Sequence, residues 1–261
     1  DPLVAVIPKS TKEVSDILKF CNKESLSVVP SGGRTGLAGG AIAENKEVIL
    51  SLDKMNKILK LDLTSLHIEV EAGIITQRVQ EEAARNQLFF PIDLAAKGSS
   101  QIGGNIATNA GGLKFIAYGG MREQVLGIEV VLADGEILNL NSSLRKNNTG
   151  YDLKHIFVGS EGTLGIITKA TLKLTTKPKE LKVACVGLQD VNNLLDFLKF
   201  VHQQNCRLTA FEFFSEHALA KVQQAFPQTR SVFQKSYPIY AVMEIEIDND
   251  EEALENILEK S

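Results

Sequence analysis

Apolar positions in this chain follow two periods, alternation by two and spacing by three and four, interrupted by glycine-rich segments that follow neither. The opening VAVIPKSTKEVSDILKFCNKESLSVVPSGG predicts a short strand, a helix and a second strand. The helix is capped near Ser10 or Thr11, with Val14, Ile17, Leu18 and Cys21 on one face. VILSLDKMNKILKLD and HIEVEAGIIT read as strands, with Ile68 and Val70 alternating with polar partners, and TQRVQEEAARNQL reads as a helix. VLGIEVVLADGEILNL predicts a β-hairpin turning at Ala133, Asp134 and Gly135. A β-branched strand within GIITKATLKL runs toward Pro178. Beyond it LKVACVGL, VNNLLDFLKFVHQQ, RLTAFEFF, EHALAKVQQAF, YPIYAVMEIEI and EEALENILEK alternate strand and helix. The pattern predicts an α+β fold with a domain boundary at Pro178, dividing residues 1–178 from 179–261. The second domain has too few strands to close its sheet, so more chain is expected after Ser261, and the absence of a starting methionine predicts a fragment or processed form.

The segment 30–40, PSGGRTGLAGG, holds five glycines in eleven positions directly after the apolar stretch 27–29. Glycine lets successive backbone N–H groups point into one concavity and chelate anionic oxygens, which predicts a pyrophosphate and hence a nucleotide. No Gly-Lys-Ser/Thr triplet follows, and the spacing is not that of a GxGxxG opening a long helix. Taken alone, the loop also admits a plain flexible turn. The stretch 89–120 is too rich in glycine for a regular element and too apolar for a disordered linker, so something must order it. With the third cluster at 159–165, the three glycine segments predict a ligand longer than one phosphate, threaded between two subdomains.

At 261 residues and 44% hydrophobic content the chain can bury a sizeable core. Lysine plus arginine total 28 against 32 acidic residues, and the basic residues are scattered, which argues against nucleic acid as a partner. No apolar run is long enough for a transmembrane segment. Cys21, Cys185 and Cys206 are odd in number and outside any CxxC pattern, so neither a disulfide framework nor a metal site is expected. A reducing compartment follows, with cytoplasm as the default and association with a membrane periphery through a partner as the alternative.

The motifs VVPSGGRTGLAGG, PIDLAAKGSSQIGGNIATNAGGLKFIAYG, VLGIEVVLADG, TGYDLKHIFVGSEGTLGIITKATLKL and AFEFF, in this order and spacing, resemble the vanillyl-alcohol-oxidase (PCMH-type) FAD-binding domain. More narrowly they resemble the branch that contains D-2-hydroxyglutarate dehydrogenase, D-lactate dehydrogenase and the D subunit of glycolate oxidase. The resemblance implies an FAD domain of two α+β subdomains, followed by the incomplete start of an α+β substrate domain. It places the pyrophosphate on the amides of Gly32, Gly33, Arg34, Thr35, Gly36 and Leu37, in the loop that Pro30 opens. It puts Pro91, Ser99, Gly103, Gly104, Asn105, Thr108 and Gly111 along the ribityl chain and flavin, and Gly165, Ile166 and Ile167 along the adenosine. Arg34 stands where many relatives have asparagine, and its amide is expected to bind the phosphate. The loop holds no histidine or cysteine for a covalent link, so non-covalent FAD follows.

The implied reaction is oxidation of a D-2-hydroxy acid such as 2-hydroxyglutarate, lactate or glycolate. Hydride passes to flavin N5, and the electrons go on to a quinone, a flavoprotein or another carrier. The histidine-rich signature that carries the base and metal ligands in the family is not found, so no catalytic residue is assigned. Lys114, Tyr118 and Arg122 are the candidates nearest the flavin, each equally suited to a surface role. His67, His155, His202 and His217 are expected to pack or face water. The Glu161 carboxylate is expected to fix the GSEGTLG turn through backbone N–H groups. Two other classes compete: a non-catalytic FAD-binding or electron-transfer subunit, and a reductase that takes hydride from NADPH.

Overall fold

Ser10 starts the first helix as its sequence predicts. Its Oγ accepts from the Glu13 amide at 3.2 Å, and the Glu13 carboxylate accepts from the Lys9 amide at 2.8 Å. The computed structural model describes residues 1–178, 180–247, 255 and 257. It divides into one unit of Asp1–Gly112 with Gly119–Lys177 and another of Leu113–Tyr118 with Pro178–Ser261.

In the first unit β1 (Val4–Val6) leads through helix α1 (Thr11–Lys23) to β2 (Val28–Ser31), and β3 (Val48–Ser51) lies between the two strands, parallel to both. β1 and β2 run in the same direction on either side of β3, so a crossover must join them, and α1 supplies it while burying Val14, Leu18 and Cys21. β2 ends at Ser31, where the first glycine segment begins.

The chain continues through β4 (Ile58–Asp62), β5 (His67–Glu71), α2 (Thr76–Arg85), β6 (Leu88–Phe89) and α3 (Ile102–Ala107). VILSLDKMNKILKLD therefore holds two strands in different sheets, β3 and β4, because the chain turns between them where the Met55 amide bonds the Leu52 carbonyl at 2.8 Å. The stretch 89–120, expected to be irregular, contains α3. Ile102, Asn105 and Ile106 are buried there, and Gly103 brings the helix so close to Ala72 that a Cβ would stand 2.9 Å from the alanine methyl. Gly103 serves close packing, which the composition alone reads as irregularity.

After α4 (Phe115–Tyr118), which belongs to the second unit, come α5 (Met121–Gln124), β7 (Val125–Val131), β8 (Ile137–Leu140), α6 (Lys154–Phe157), β9 (Ile166–Lys173) and β10 (Thr175–Thr176). β4, β5, β9, β7 and β8 form, in that order, an antiparallel sheet, and β7 and β8 are the predicted hairpin, with Val131 opposite Ile137. One core joins this sheet to α1, α2 and α3, with Ile68, Val70, Phe90, Ile102, Ile106, Met121 and Leu172 fully buried.

In the second unit β11 (Leu181–Leu188), α7 (Val191–His202), β12 (Arg207–Ser215), α8 (Glu216–Ala225) and β13 (Ile239–Glu246) follow the predicted alternation. The sheet is antiparallel in the order β11, β13, β12, and Phe197 and Val201 of α7 pack on Val186, Met243 and Ile245. The last predicted helix, 251–260, lies outside the described residues except for 255 and 257, which are helical.

Candidate cofactor site

All three glycine segments of the first unit meet at one cavity of about 540 Å³. Pro30, Gly32, Gly33, Arg34, Thr35, Gly36 and Leu37 line it from the loop after β2. Gly103, Gly104, Asn105 and Thr108 line it from α3 and its end, and Gly165, Ile166 and Ile167 from the start of β9. Pro91, Ser99 and Gly111 are not among its lining residues: Pro91 is buried, and the Ser99 carbonyl lies against Gly33. A Cβ on Gly33 would stand 2.2 Å from that oxygen, so only glycine lets the loop lie down on the 98–100 backbone.

Two features of the cavity fit a pyrophosphate-bearing dinucleotide. The amides of Gly33, Arg34, Thr35, Gly36 and Leu37 donate to no acceptor among the described residues, leaving a row of free backbone donors. Arg34 holds a left-handed backbone, φ 53°, within this row. The Gln101 Oε1 is the second feature, a buried acceptor without a partner among the described residues. Asn105, fixed by its amide on Thr76 Oγ1 at 2.6 Å, adds a rigid wall.

Sequence reasoning missed Gln101, Leu94, Ala95, Ala96, Ala107, Ala110 and Gly162 in the lining. The alanines and Leu94 lie within the quoted motif PIDLAAKGSSQIGGNIATNAGG but have no polar atom to flag them. Glu161 lines the cavity in a role different from the expected one. Its own amide donates to the Ala107 carbonyl at 2.8 Å from a left-handed backbone, φ 52°, and its carboxylate makes no hydrogen bond among the described residues. The turn is held by main chain, so the side chain is left facing the cavity.

Each of the three further candidates is engaged by other protein groups. Lys114 is almost fully buried and paired with Glu244, which also accepts from Thr209 Oγ1 at 2.6 Å. Tyr118 lies under the Arg207 guanidinium, 4.2 Å from the ring centre, and reaches Glu246 at 3.4 Å. Burial, joined by the Glu246 charge, pushes its hydroxyl above the usual tyrosine range. Arg122 donates to the carbonyls of His155 at 3.0 Å and Val158 at 2.6 Å, clamping the turn that follows α6. It also lines a second, polar cavity of about 500 Å³ beside Arg145, Lys154 and Lys173. His155 lines the same cavity, and burial, aided by Lys154, lowers its pKa. His67 is sealed in β5, and His202 and His217 sit on α7 and α8. Among the described residues no group of three or more histidine, cysteine or acidic side chains could hold a metal, and no helix is long and apolar enough to cross a membrane.

A family model described as FAD binding domain matches residues 2–141. A D-2-hydroxyglutarate dehydrogenase of Stutzerimonas stutzeri is 43% identical over 252 residues, 97% of this chain and 54% of its own length. The mitochondrial D-2-hydroxyglutarate dehydrogenase of Danio rerio is 41% identical over 98% of this chain and 49% of its own length. The chain thus spans about half the length of the curated relatives it matches. Among solved structures an alkyldihydroxyacetonephosphate synthase superposes with a TM-score of 0.78 at 20% identity, over 98% of this chain and 49% of that one, a likeness of fold.

Proposed function

The chain belongs to the FAD binding domain family, and we propose that it holds FAD non-covalently as the cofactor half of a D-2-hydroxy-acid dehydrogenase. FAD is the cofactor this family binds. The observation that carries the reading is the row of unpaired amides from Gly33 to Leu37, facing a cavity shared by three glycine segments. By the family resemblance a covalent link would come from a histidine beside this loop, and none of the loop's residues is histidine or cysteine. The chemistry FAD supplies is acceptance of a hydride equivalent at its N5. On this reading Gly32, Gly33, Arg34, Thr35, Gly36 and Leu37 hold the pyrophosphate, Gly103, Gly104, Asn105 and Thr108 the ribityl and flavin side, and Gly165, Ile166 and Ile167 the adenosine. Residues 1–178 form the FAD domain and 179–261 the first part of a substrate domain.

D-2-Hydroxyglutarate is the first substrate to test, because the relatives above carry that name. The two electrons then pass to a carrier such as a quinone or a second flavoprotein. A non-catalytic FAD subunit is the second reading, favoured by one observation: Lys114, Tyr118 and Arg122 are all engaged by other protein groups.

The test is a visible spectrum of the purified chain, with and without added FAD, followed by acid precipitation. Flavin bands near roughly 370 and 450 nm, with all colour released by acid, are expected. A folded chain that never retains flavin sinks the reading, and colour that stays with the precipitate sinks its non-covalent part. Anaerobic bleaching by D-2-hydroxyglutarate, D-lactate or glycolate selects the enzyme. Bleaching by NADPH alone selects a reductase, and bleaching by dithionite alone, both in this chain and in a protein of the relatives' full length, selects the second reading.

A further inference from the structure

Gln101 sits immediately before α3, is 7% exposed and lines the glycine cavity. Its Nε2 donates to Asp53 Oδ1 at 2.7 Å, while its Oε1 is buried with no hydrogen-bond partner among the described residues. A carboxylate only accepts, so Asp53 fixes the amide in one orientation, with NH₂ toward the carboxylate and the carbonyl oxygen away from it. That oxygen is turned toward the first glycine loop: a Cβ on Gly32 would stand 3.5 Å from it and 3.9 Å from Gly104 Cα. It therefore lies between the loop that offers free amides and the helix that carries the second glycine pair.

Buried side-chain oxygens in folded proteins nearly always have a donor, and the described residues supply none here. Phosphate oxygens cannot serve, since they accept only, and bringing them close would set oxygen against oxygen. Within a dinucleotide the groups able to satisfy the atom are hydroxyls and N–H groups. We propose that Gln101 Oε1 accepts a hydrogen bond from a ribityl hydroxyl of FAD, and that Asp53 is the positioning residue that holds the amide for it. The assignment rests on the proposed FAD site. It gives the pair a further task, setting the register of the dinucleotide: the oxygen attracts the sugar-alcohol chain and repels the pyrophosphate, which keeps the phosphates on the amides of the first loop.

The experiment compares two probes on the apoprotein, FAD followed by quenching of its fluorescence and ADP followed by calorimetry. ADP carries the pyrophosphate and adenosine but no ribityl chain. Gln101→Met, close in volume and without the acceptor, is expected to weaken FAD about tenfold and leave ADP within about twofold. Asp53→Leu, which frees the amide to turn, is expected to act in the same direction. Asp53→Asn, whose oxygen can accept the same bond, restores FAD binding to within about threefold of the parent. Asp53 is exposed, so this pair decides the matter if Gln101→Met fails to fold. FAD binding that is unchanged in Gln101→Met and Asp53→Leu overturns the proposal, as does equal weakening of FAD and ADP. A parent chain that binds ADP and never FAD overturns the proposed function itself, and this assignment with it.

Discussion

The carbonyl oxygen of Ser99 occupies the space that a side chain on Gly33 would need: a Cβ built there stands 2.2 Å from it and 2.9 Å from Ser100 Cα. The contact joins the first two glycine segments and sets the loop amides over the cavity floor. Gly33→Ala must displace backbone, at about 2 kcal/mol, and is expected to lower the unfolding midpoint and abolish flavin retention together. Gly36→Ala is the control for the unfolding midpoint alone, because its Cβ meets no protein atom within 4 Å. Thermal unfolding and the ratio of flavin to protein absorbance check both.

Arg34 occupies a left-handed backbone at φ 53° and makes no ion pair or hydrogen bond among the described residues. If only its amide serves the phosphate, Arg34→Gly relieves about 1 kcal/mol of backbone strain and leaves FAD affinity unchanged. Denaturant unfolding of the apoprotein and an FAD titration measure the two effects separately. A large loss of affinity would assign the guanidinium to the phosphate.

Glu129 couples α1 to the large sheet. It accepts from Thr11 at 2.5 Å, from Thr168 at 2.9 Å and from Lys169 at 3.1 Å. Burial opposes its charge, yet these hydrogen bonds together hold its pKa below the usual carboxylate value. A depressed folded value means stability that is present above the unfolded pKa and lost as pH falls through the folded one. Glu129→Gln is expected to cost about 2 kcal/mol at pH 7, with the difference shrinking as the pH drops below about 4. Urea unfolding of parent and variant across that range tests the sign.

Lys114, almost fully buried, and Glu244, half-buried, form an ion pair inside the second unit. Removing either partner leaves a charge without its counterion, so Lys114→Met is expected to cost about 3 kcal/mol, with the double replacement Lys114→Met, Glu244→Leu recovering much of it. A double-mutant cycle by denaturant unfolding gives the coupling. A Lys114→Met chain of parental stability would return Lys114 to the list of catalytic candidates.

The strands and helices were largely legible because local periodicity and capping decide them. Ser10 begins its helix by bonding three residues ahead, and the hairpin turns where Ala133, Asp134 and Gly135 predict. The glycine segments revealed an anion-binding loop for the same reason, since a glycine backbone is itself the binding group. α3 was hidden by the composition of 89–120, because its Gly103 answers to Ala72, just past the end of β5, rather than to its own neighbours.

The sequence by itself determined the α+β alternation, the glycine loop and, through the order of its motifs, the family to which the chain belongs. Only the tertiary structure decided which polar groups are already spent and which remain free. Lys114, Tyr118 and Arg122 read as available cations or acids until Glu244, Arg207 and the carbonyls of His155 and Val158 are found beside them. Gln101 reads as an ordinary polar residue until burial strips its oxygen of water and Asp53 fixes the direction in which it points. Hydrogen-bond satisfaction depends on partners that are remote in sequence, so no local pattern carries it.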